Sequence, residues 1–202
     1  MDDQLVAQAV DLPGGRLAIL QPEESAELPD DRELEWAPLV PYWSVLWRSG
    51  VALAREVAAM DLTGRRVVEL GCGLGAPSLA AARSGASALA TDADPEALEL
   101  VERSARLNHL RVETAAIDWS DPGELAARAP FDLVVAADVL YERPFVAELL
   151  SLLPRLSPEA LIADPGRAAA EAFLEQARRR WEVETRERGV VLIHRIRLRA
   201  AV

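Results

Sequence analysis

Three glycines at alternate positions, Gly71, Gly73 and Gly75, follow an apolar run in VVELGCGLGAPSLAAARSGA. Such a loop turns sharply and lets a ligand approach the backbone with no Cβ in the way, so the segment reads as a nucleotide-binding turn between a buried strand and a helix. Taken alone, Gly71, Gly73 and Ala76 also satisfy the looser dinucleotide pattern. Glu69, two residues before Gly71, shifts the choice of ligand. A carboxylate there would engage a cationic amino-acid group through a bridging water or a loop amide, and would repel a pyrophosphate. Pro77, where a dinucleotide site would have a close-packing glycine, points the same way. The competing reading makes Glu69 a capped strand-end carboxylate.

Asp92 lies 21 positions beyond Gly71, where folds of this kind place a carboxylate on the ribose hydroxyls. Asp94, directly before Pro95, is better explained as a helix N-cap. Asp118 and Trp119 offer an acceptor for an exocyclic amine and a face for an adenine ring; their structural alternative is a turn aspartate beside a half-buried tryptophan. A nucleoside joined to a cationic amino acid is the chemistry of S-adenosylmethionine. In FDLVVAADVLYE, Asp138 and Tyr141 fall just past a strand end, where open α/β sheets bind ligands. Methyl transfer from a sulfonium needs an aligned, unprotonated nucleophile. A lysine amine, with an ordinary pKa of about 10.4, must therefore lose its proton near the site. Asp138 and Tyr141 would steer that nitrogen while the proton passes to water. Otherwise Asp138 caps the next helix and Tyr141 packs on the core. Trp36, Tyr42, Trp43 and Trp47 crowd into twelve residues. Aromatic faces attract sulfonium and ammonium groups, so some would wall the pocket, although Trp47 would equally pack on the sheet.

The elements that must position these residues are legible from Arg65 onward, where short β-rich runs alternate with Ala/Leu/Arg/Glu-rich helical stretches. That is the pattern of βαβ units around a parallel sheet, an α/β doubly wound, Rossmann-like fold. Strands are predicted at Arg66 to Leu70, Ser87 to Thr91, Val112 to Ala115, Phe131 to Ala136 and Ala160 to Ala163. Trp181 to Leu198, divided by Gly189, reads as an antiparallel hairpin closing one sheet edge. Leu5 to Leu20, with turn residues Pro13, Gly14 and Gly15, reads as an N-terminal hairpin. Ser44 to Met60 reads as an amphipathic helix.

With 202 residues, half of them apolar, one domain is expected, residues 1–60 being an extension and helix and residues 61–202 the cofactor-binding core. No long apolar run and an acidic start predict a cytoplasmic protein with neither membrane span nor signal peptide. One cysteine and two histidines argue against a metal site. A net charge of −11 disfavours nucleic acid as a partner. Gln21 to Glu35 gathers seven acids against Arg32 alone. That segment reads as a solvated acidic loop, with docking of a basic partner as the alternative. All 22 cationic side chains are arginine. A monomer is expected.

With ELGCGLG, TDAD, the Asp118–Trp119 pair and ADVLY placed, the chain resembles the seven-strand class of S-adenosylmethionine methyltransferases over nearly its whole length. PYWSVLWRSGVALA before the first core strand, together with DVLY after the fourth, resembles the family sixteen lysine methyltransferases. ADPGR, Ala163 to Arg167, is similar to the branch acting on the electron-transfer flavoprotein β-subunit. The resemblance implies that Trp47, Glu69, Gly71, Gly73, Asp92, Asp118 and Trp119 contact the cofactor, with Gly75 completing the loop. It implies too that Asp138 and Tyr141 face the lysine of a protein substrate and that S-adenosylhomocysteine is the product. The Tyr42-Trp43-Ser44 approach departs from the more glycine-rich one expected of the group and leaves the substrate open. A small-molecule N- or O-methyltransferase acting on a nicotinamide-type amine is the alternative. A non-catalytic cofactor-binding protein or an NAD-dependent oxidoreductase shares the same fold signal.

Overall fold

The computed structural model describes residues 4–26 and 41–198. Trp36 and most of the acidic segment lie outside the described residues. Strands β3 (Arg66–Leu70), β4 (Ser87–Asp92), β5 (Glu113–Ala116), β6 (Leu133–Ala137) and β7 (Glu159–Asp164) form a parallel array. Strands β8 (Trp181–Arg188) and β9 (Val191–Leu198) form the expected hairpin, and β9 adds antiparallel to β7. The strand order is β5-β4-β3-β6-β7-β9-β8. The chain runs outward from β3 to β5, then returns to lay β6 on the other side of β3. The carboxyl ends of β3 and β6 therefore meet where the winding reverses, in register through Leu70 and Ala136, and ligands of such sheets bind at that crevice.

Strand alternation divides the core between the two faces of the sheet. Val68, Leu70, Val134, Ala136 and Ile162 pack with Leu125 of α5 (Gly123–Arg128), Leu149 of α6 (Arg143–Leu156) and Phe173 of α7 (Ala168–Ala177). Val67, Leu133, Val135, Leu161 and Ala163 face Leu53 of α2 (Arg48–Ala58) and Leu79 of α3 (Ala76–Arg83). Pro77 and Pro95 open α3 and α4 (Pro95–Leu107), and the Asp94 carboxylate caps α4 by accepting the Glu96 N–H at 2.9 Å.

The N-terminal hairpin, β1 (Leu5–Leu12) and β2 (Gly15–Pro22), joins this second face. Leu17 and Ile19 are buried in its core. Asn108 reads the β2 edge from the end of α4, accepting the Ala18 N–H at 2.9 Å and donating to the Ala18 carbonyl at 2.6 Å, while Ser104 Oγ accepts the Leu20 N–H. A four-residue helix α1 (Glu23–Ala26) follows.

The helix expected over Ser44 to Met60 is shorter. Tyr42–Ser44 forms a 3₁₀ turn, Val45 is extended, and Trp47, also extended, is the N-cap of α2. Side-chain bonds, one of them to a residue far upstream, stop the helix from reaching back. The Ser44 hydroxyl donates to the Pro41 carbonyl at 2.7 Å and shares a 2.6 Å bond with Ser25 Oγ, while the Trp47 indole donates to the Tyr42 carbonyl. Strand limits differ from expectation by one or two residues: Val112 precedes β5, and Phe131 and Asp132 precede β6 because the Asp132 carboxylate is taken by the Arg66 N–H.

Candidate active site

A cavity of about 800 Å³ opens at the β3–β6 crevice. It gathers all the residues singled out in the sequence for cofactor or acceptor: Trp47, Glu69, Gly71, Gly73, Gly75, Asp92, Asp118, Trp119, Asp138 and Tyr141.

The glycine loop is shaped by close approach as well as by backbone freedom. Gly73 has φ +49°, and a Cβ on it would stand 2.9 Å from the Trp43 carbonyl oxygen, so the 3₁₀ turn that precedes α2 lies directly against the loop. At Gly71, φ +60°, a Cβ would meet Val139 at 3.0 Å and the Trp119 ring at 3.4 Å. Gly75 adopts the left-handed conformation as N-cap of α3. Gly73→Ala is expected to strain the left-handed backbone and push the loop from Trp43, because a backbone carbonyl cannot yield as a flexible side chain can. Calorimetry should show at least about tenfold weaker cofactor binding, with the strain of roughly 1–2 kcal/mol also visible as a lower melting temperature.

Two acids brace this loop. Asp92 accepts the Gly73 N–H at 2.8 Å through Oδ2 and the Asp94 N–H at 3.0 Å through Oδ1, and burial raises its pKa. Glu69 is buried, and its Oε2 takes both the backbone N–H (2.8 Å) and the hydroxyl (2.5 Å) of Ser78 in the first turns of α3. The alternative weighed for Glu69, a capped strand-end carboxylate, therefore holds, and it coexists with a place on the cavity wall. Burial pushes the Glu69 carboxyl up to about 8, against the lowering effect of the Ser78 bonds and with the help of the Asp92 charge. Because the folded-state value lies above the unfolded one, the folded protein holds the extra proton. The stabilisation is complete below the ordinary carboxylate range and is lost as pH rises through about 8. Glu69→Gln keeps an acceptor for Ser78 and removes the titration. Thermal unfolding of the ligand-free variant is expected to fall off less than the parent between pH 5 and pH 8.5; matching slopes would place the proton elsewhere.

Asp118 is exposed and its Oδ1 accepts the Ser120 N–H at 2.8 Å, which holds its pKa low. It makes the turn weighed as its structural role and still edges the cavity. Trp119 is half-buried against Gly71. The structural alternatives for Asp138 and Tyr141 do not hold. Glu142, not Asp138, is the N-cap of α6, and Tyr141 is 47% exposed rather than packed in the core. Asp138 sits in the left-handed region at φ +57°, and its Oδ1 receives Arg167 Nη1 at 2.5 Å. Burial, then the neighbouring Glu142 charge, raises the Tyr141 phenol pKa, so it remains a neutral donor.

An arc of five rings crosses the site. Centroid separations are 6.4 Å for Trp47–Tyr42, 5.9 Å for Tyr42–Tyr141, 4.9 Å for Tyr141–Phe145 and 5.6 Å for Phe145–Trp119. Phe145 was missed in the sequence: it lies in the first turn of α6 whereas Tyr141 precedes that helix, so no helical period links the two. Arg167 as an acid partner was missed too; only the ADPGR resemblance drew notice to it. Trp43 also lines the cavity, and its buried indole N–H has no acceptor among the described residues.

The seven-stranded order with a cavity at its reversal defines the class: a Rossmann-like methyltransferase fold. The 16S rRNA N2 G1207 methyltransferase of T. thermophilus, solved with AdoMet and guanosine, superposes with a TM-score of 0.71 at 18% identity over 96% of this chain and 51% of that one. Residues 43–179 match the family described as lysine methyltransferase, and the chain belongs to that family. The electron transfer flavoprotein beta subunit lysine methyltransferase of Danio rerio is 36% identical over 142 residues, 65% of this chain and 52% of that protein. The protein N-lysine methyltransferase METTL21A of Danio rerio is 31% identical over 152 residues, 70% and 69% of the respective chains. The chain thus spans about half the length of the flavoprotein-directed relatives it matches.

Proposed function

We propose that this protein uses S-adenosylmethionine to methylate a lysine side chain of a protein acceptor. The observation that carries the reading is the meeting of Asp138 and Tyr141 with the glycine loop and Asp92 in one cavity. The donor set fits the cofactor. A Cβ-free loop face, the acids Glu69 and Asp92 and the unsatisfied Trp43 N–H suit an amino-acid end and a ribose, while Trp119 and Asp118 suit an adenine. Trp47 and Gly75 complete the wall. When bound, S-adenosylmethionine supplies an electrophilic methyl group and leaves as S-adenosylhomocysteine.

The protein's own part is positioning. Asp138 accepts an N–H of the acceptor amine and Tyr141 walls its approach, so that the nitrogen lone pair faces the methyl carbon. With the cofactor bound, an N–C bond would form as the C–S bond breaks, and the amine proton would pass to water. Tyr42 and Tyr141, 55% and 47% exposed at the site, supply a surface for a large acceptor and favour a protein over a free small amine. The −11 charge favours a basic-side-chain acceptor over nucleic acid. Family membership goes against the NAD-dependent and non-catalytic readings. No helix among the described residues is long and apolar enough to cross a membrane, and the sole cysteine, Cys72, is a buried free thiol.

The test is incubation with S-adenosylmethionine and electron transfer flavoprotein β-subunit, followed by peptide mass spectrometry. The chain contains no lysine, so any methyl-lysine belongs to the acceptor. Methyl-lysine on that protein is expected; methyl groups entering only free amines would favour the small-molecule alternative.

A further inference from the structure

Arg167 is the one cation among the described residues lining the cavity. It stands between two acids: Nη1 lies 2.5 Å from Asp138 Oδ1 and 3.8 Å from Asp164 Oδ2. Its loop is fixed from below, because Asp164 Oδ1 accepts the N–H groups of Gly166 at 2.6 Å and Arg167 at 2.7 Å. The Asp138 backbone is fixed as well, its N–H donating to the Ala163 carbonyl at 3.0 Å. Both partners of the ion pair are therefore held by the ends of adjacent strands, β6 and β7.

We propose that Arg167 is a positioning residue for methyl transfer, holding Asp138 by Oδ1 so that Oδ2 is left to orient the acceptor amine, and offsetting the negative charge that would otherwise keep that amine as an ammonium. The proposal rests on the lysine-methylating reading above. Oδ2 has no hydrogen-bond partner among the described residues, whereas Oδ1 is taken. The remaining titratable groups on the cavity wall are the carboxyls Glu69, Asp92, Asp118, Glu142 and Glu148, the phenols Tyr42 and Tyr141 and the buried Cys72 thiol. None of them brings positive charge. An opposite charge close to an amine favours its protonated form by about 1–3 pKa units, and a protonated amine has no lone pair to give. Without Arg167, Asp138 and the ionised carboxyls of the wall, Glu69 excepted because it keeps its proton up to about 8, would bind the acceptor well in its unreactive form. The ion pair keeps a hydrogen-bond acceptor in place while removing much of that penalty.

Arg167→Gln and Arg167→Lys test this in two measurements. The first is the pH dependence of methyl transfer to electron transfer flavoprotein β-subunit. In Arg167→Gln, kcat at pH 7.5 is expected to fall about tenfold for each unit by which the bound amine titrates higher, recovering at alkaline pH, with KM unchanged or lower. Arg167→Lys should retain most of the parent profile. Equal loss at every pH, or a lysine variant no better than glutamine, would overturn the proposal in favour of a merely structural arginine. The second measurement needs no methyl acceptor: calorimetric titration of the S-adenosylhomocysteine complex with n-butylammonium at pH 7.5. Arg167→Gln should bind this cation about tenfold more tightly than the parent. Equal or weaker binding overturns the proposal even if the parent enzyme leaves the flavoprotein subunit unmethylated, an outcome that counts separately against the lysine reading.

Discussion

Asp138→Asn is expected to lower kcat for lysine methylation by about 10²-fold or more while leaving S-adenosylmethionine affinity within about twofold of the parent. The two halves of that expectation come from different contacts. Asp138 is bound to Arg167 and the Ala163 carbonyl, and it makes no hydrogen bond to the glycine loop. Cofactor binding is therefore insulated from the change. Orientation of the acceptor is not, because the amide presents either a weaker acceptor or a donor to the amine and leaves the Arg167 charge facing it unbalanced. Steady-state kinetics beside calorimetry separate the effects. Equal losses in kcat and in cofactor affinity would mean that Asp138 supports the cofactor instead.

Asp92→Ala is expected to show the converse, a loss of about 100-fold or more in affinity for S-adenosylmethionine and S-adenosylhomocysteine. Asp92 does two things at once. It pins Gly73 and Asp94 through their N–H groups, and it presents a carboxylate at the β4 end where a ribose would lie. Hydrogen bonds to a charged group contribute roughly 1.5–3 kcal/mol each, so losing a pair of them reaches that magnitude. Asp92→Asn, which keeps one acceptor oxygen, should fall between. Circular dichroism and melting temperature establish that the alanine variant is folded, and a folded variant with undiminished affinity would remove Asp92 from the site.

Much of this architecture was readable in advance because hydrophobic period and turn residues are local. The limits of β3 follow from RVVEL and its following glycines, and Pro95 with Asp94 marks the start of α4. The family's glycine loop and DVLY segment were equally local. What escaped notice depends on distance in sequence. The helix expected from Ser44 begins only at Arg48 because Ser44 is engaged by Ser25, nineteen residues upstream, as well as by Pro41. The contact of Gly73 with the Trp43 carbonyl and the 29-residue separation of Asp138 from Arg167 are products of the sheet order. Periodicity cannot announce them. The double role of Glu69, cap for α3 and cavity wall, was split into alternatives because one strand-end position supplies both.

Everything assigned to the acceptor depends on the cofactor, so the most direct test is calorimetric titration of the purified protein with S-adenosylmethionine, S-adenosylhomocysteine and NAD, with Asp92→Ala alongside. Binding of both sulfur compounds, weakened in the variant and absent for NAD, is the predicted result. Binding of NAD alone, or of none of the three, would contradict the methyltransferase reading and with it the roles given to Glu69, Asp92, Asp138 and Arg167.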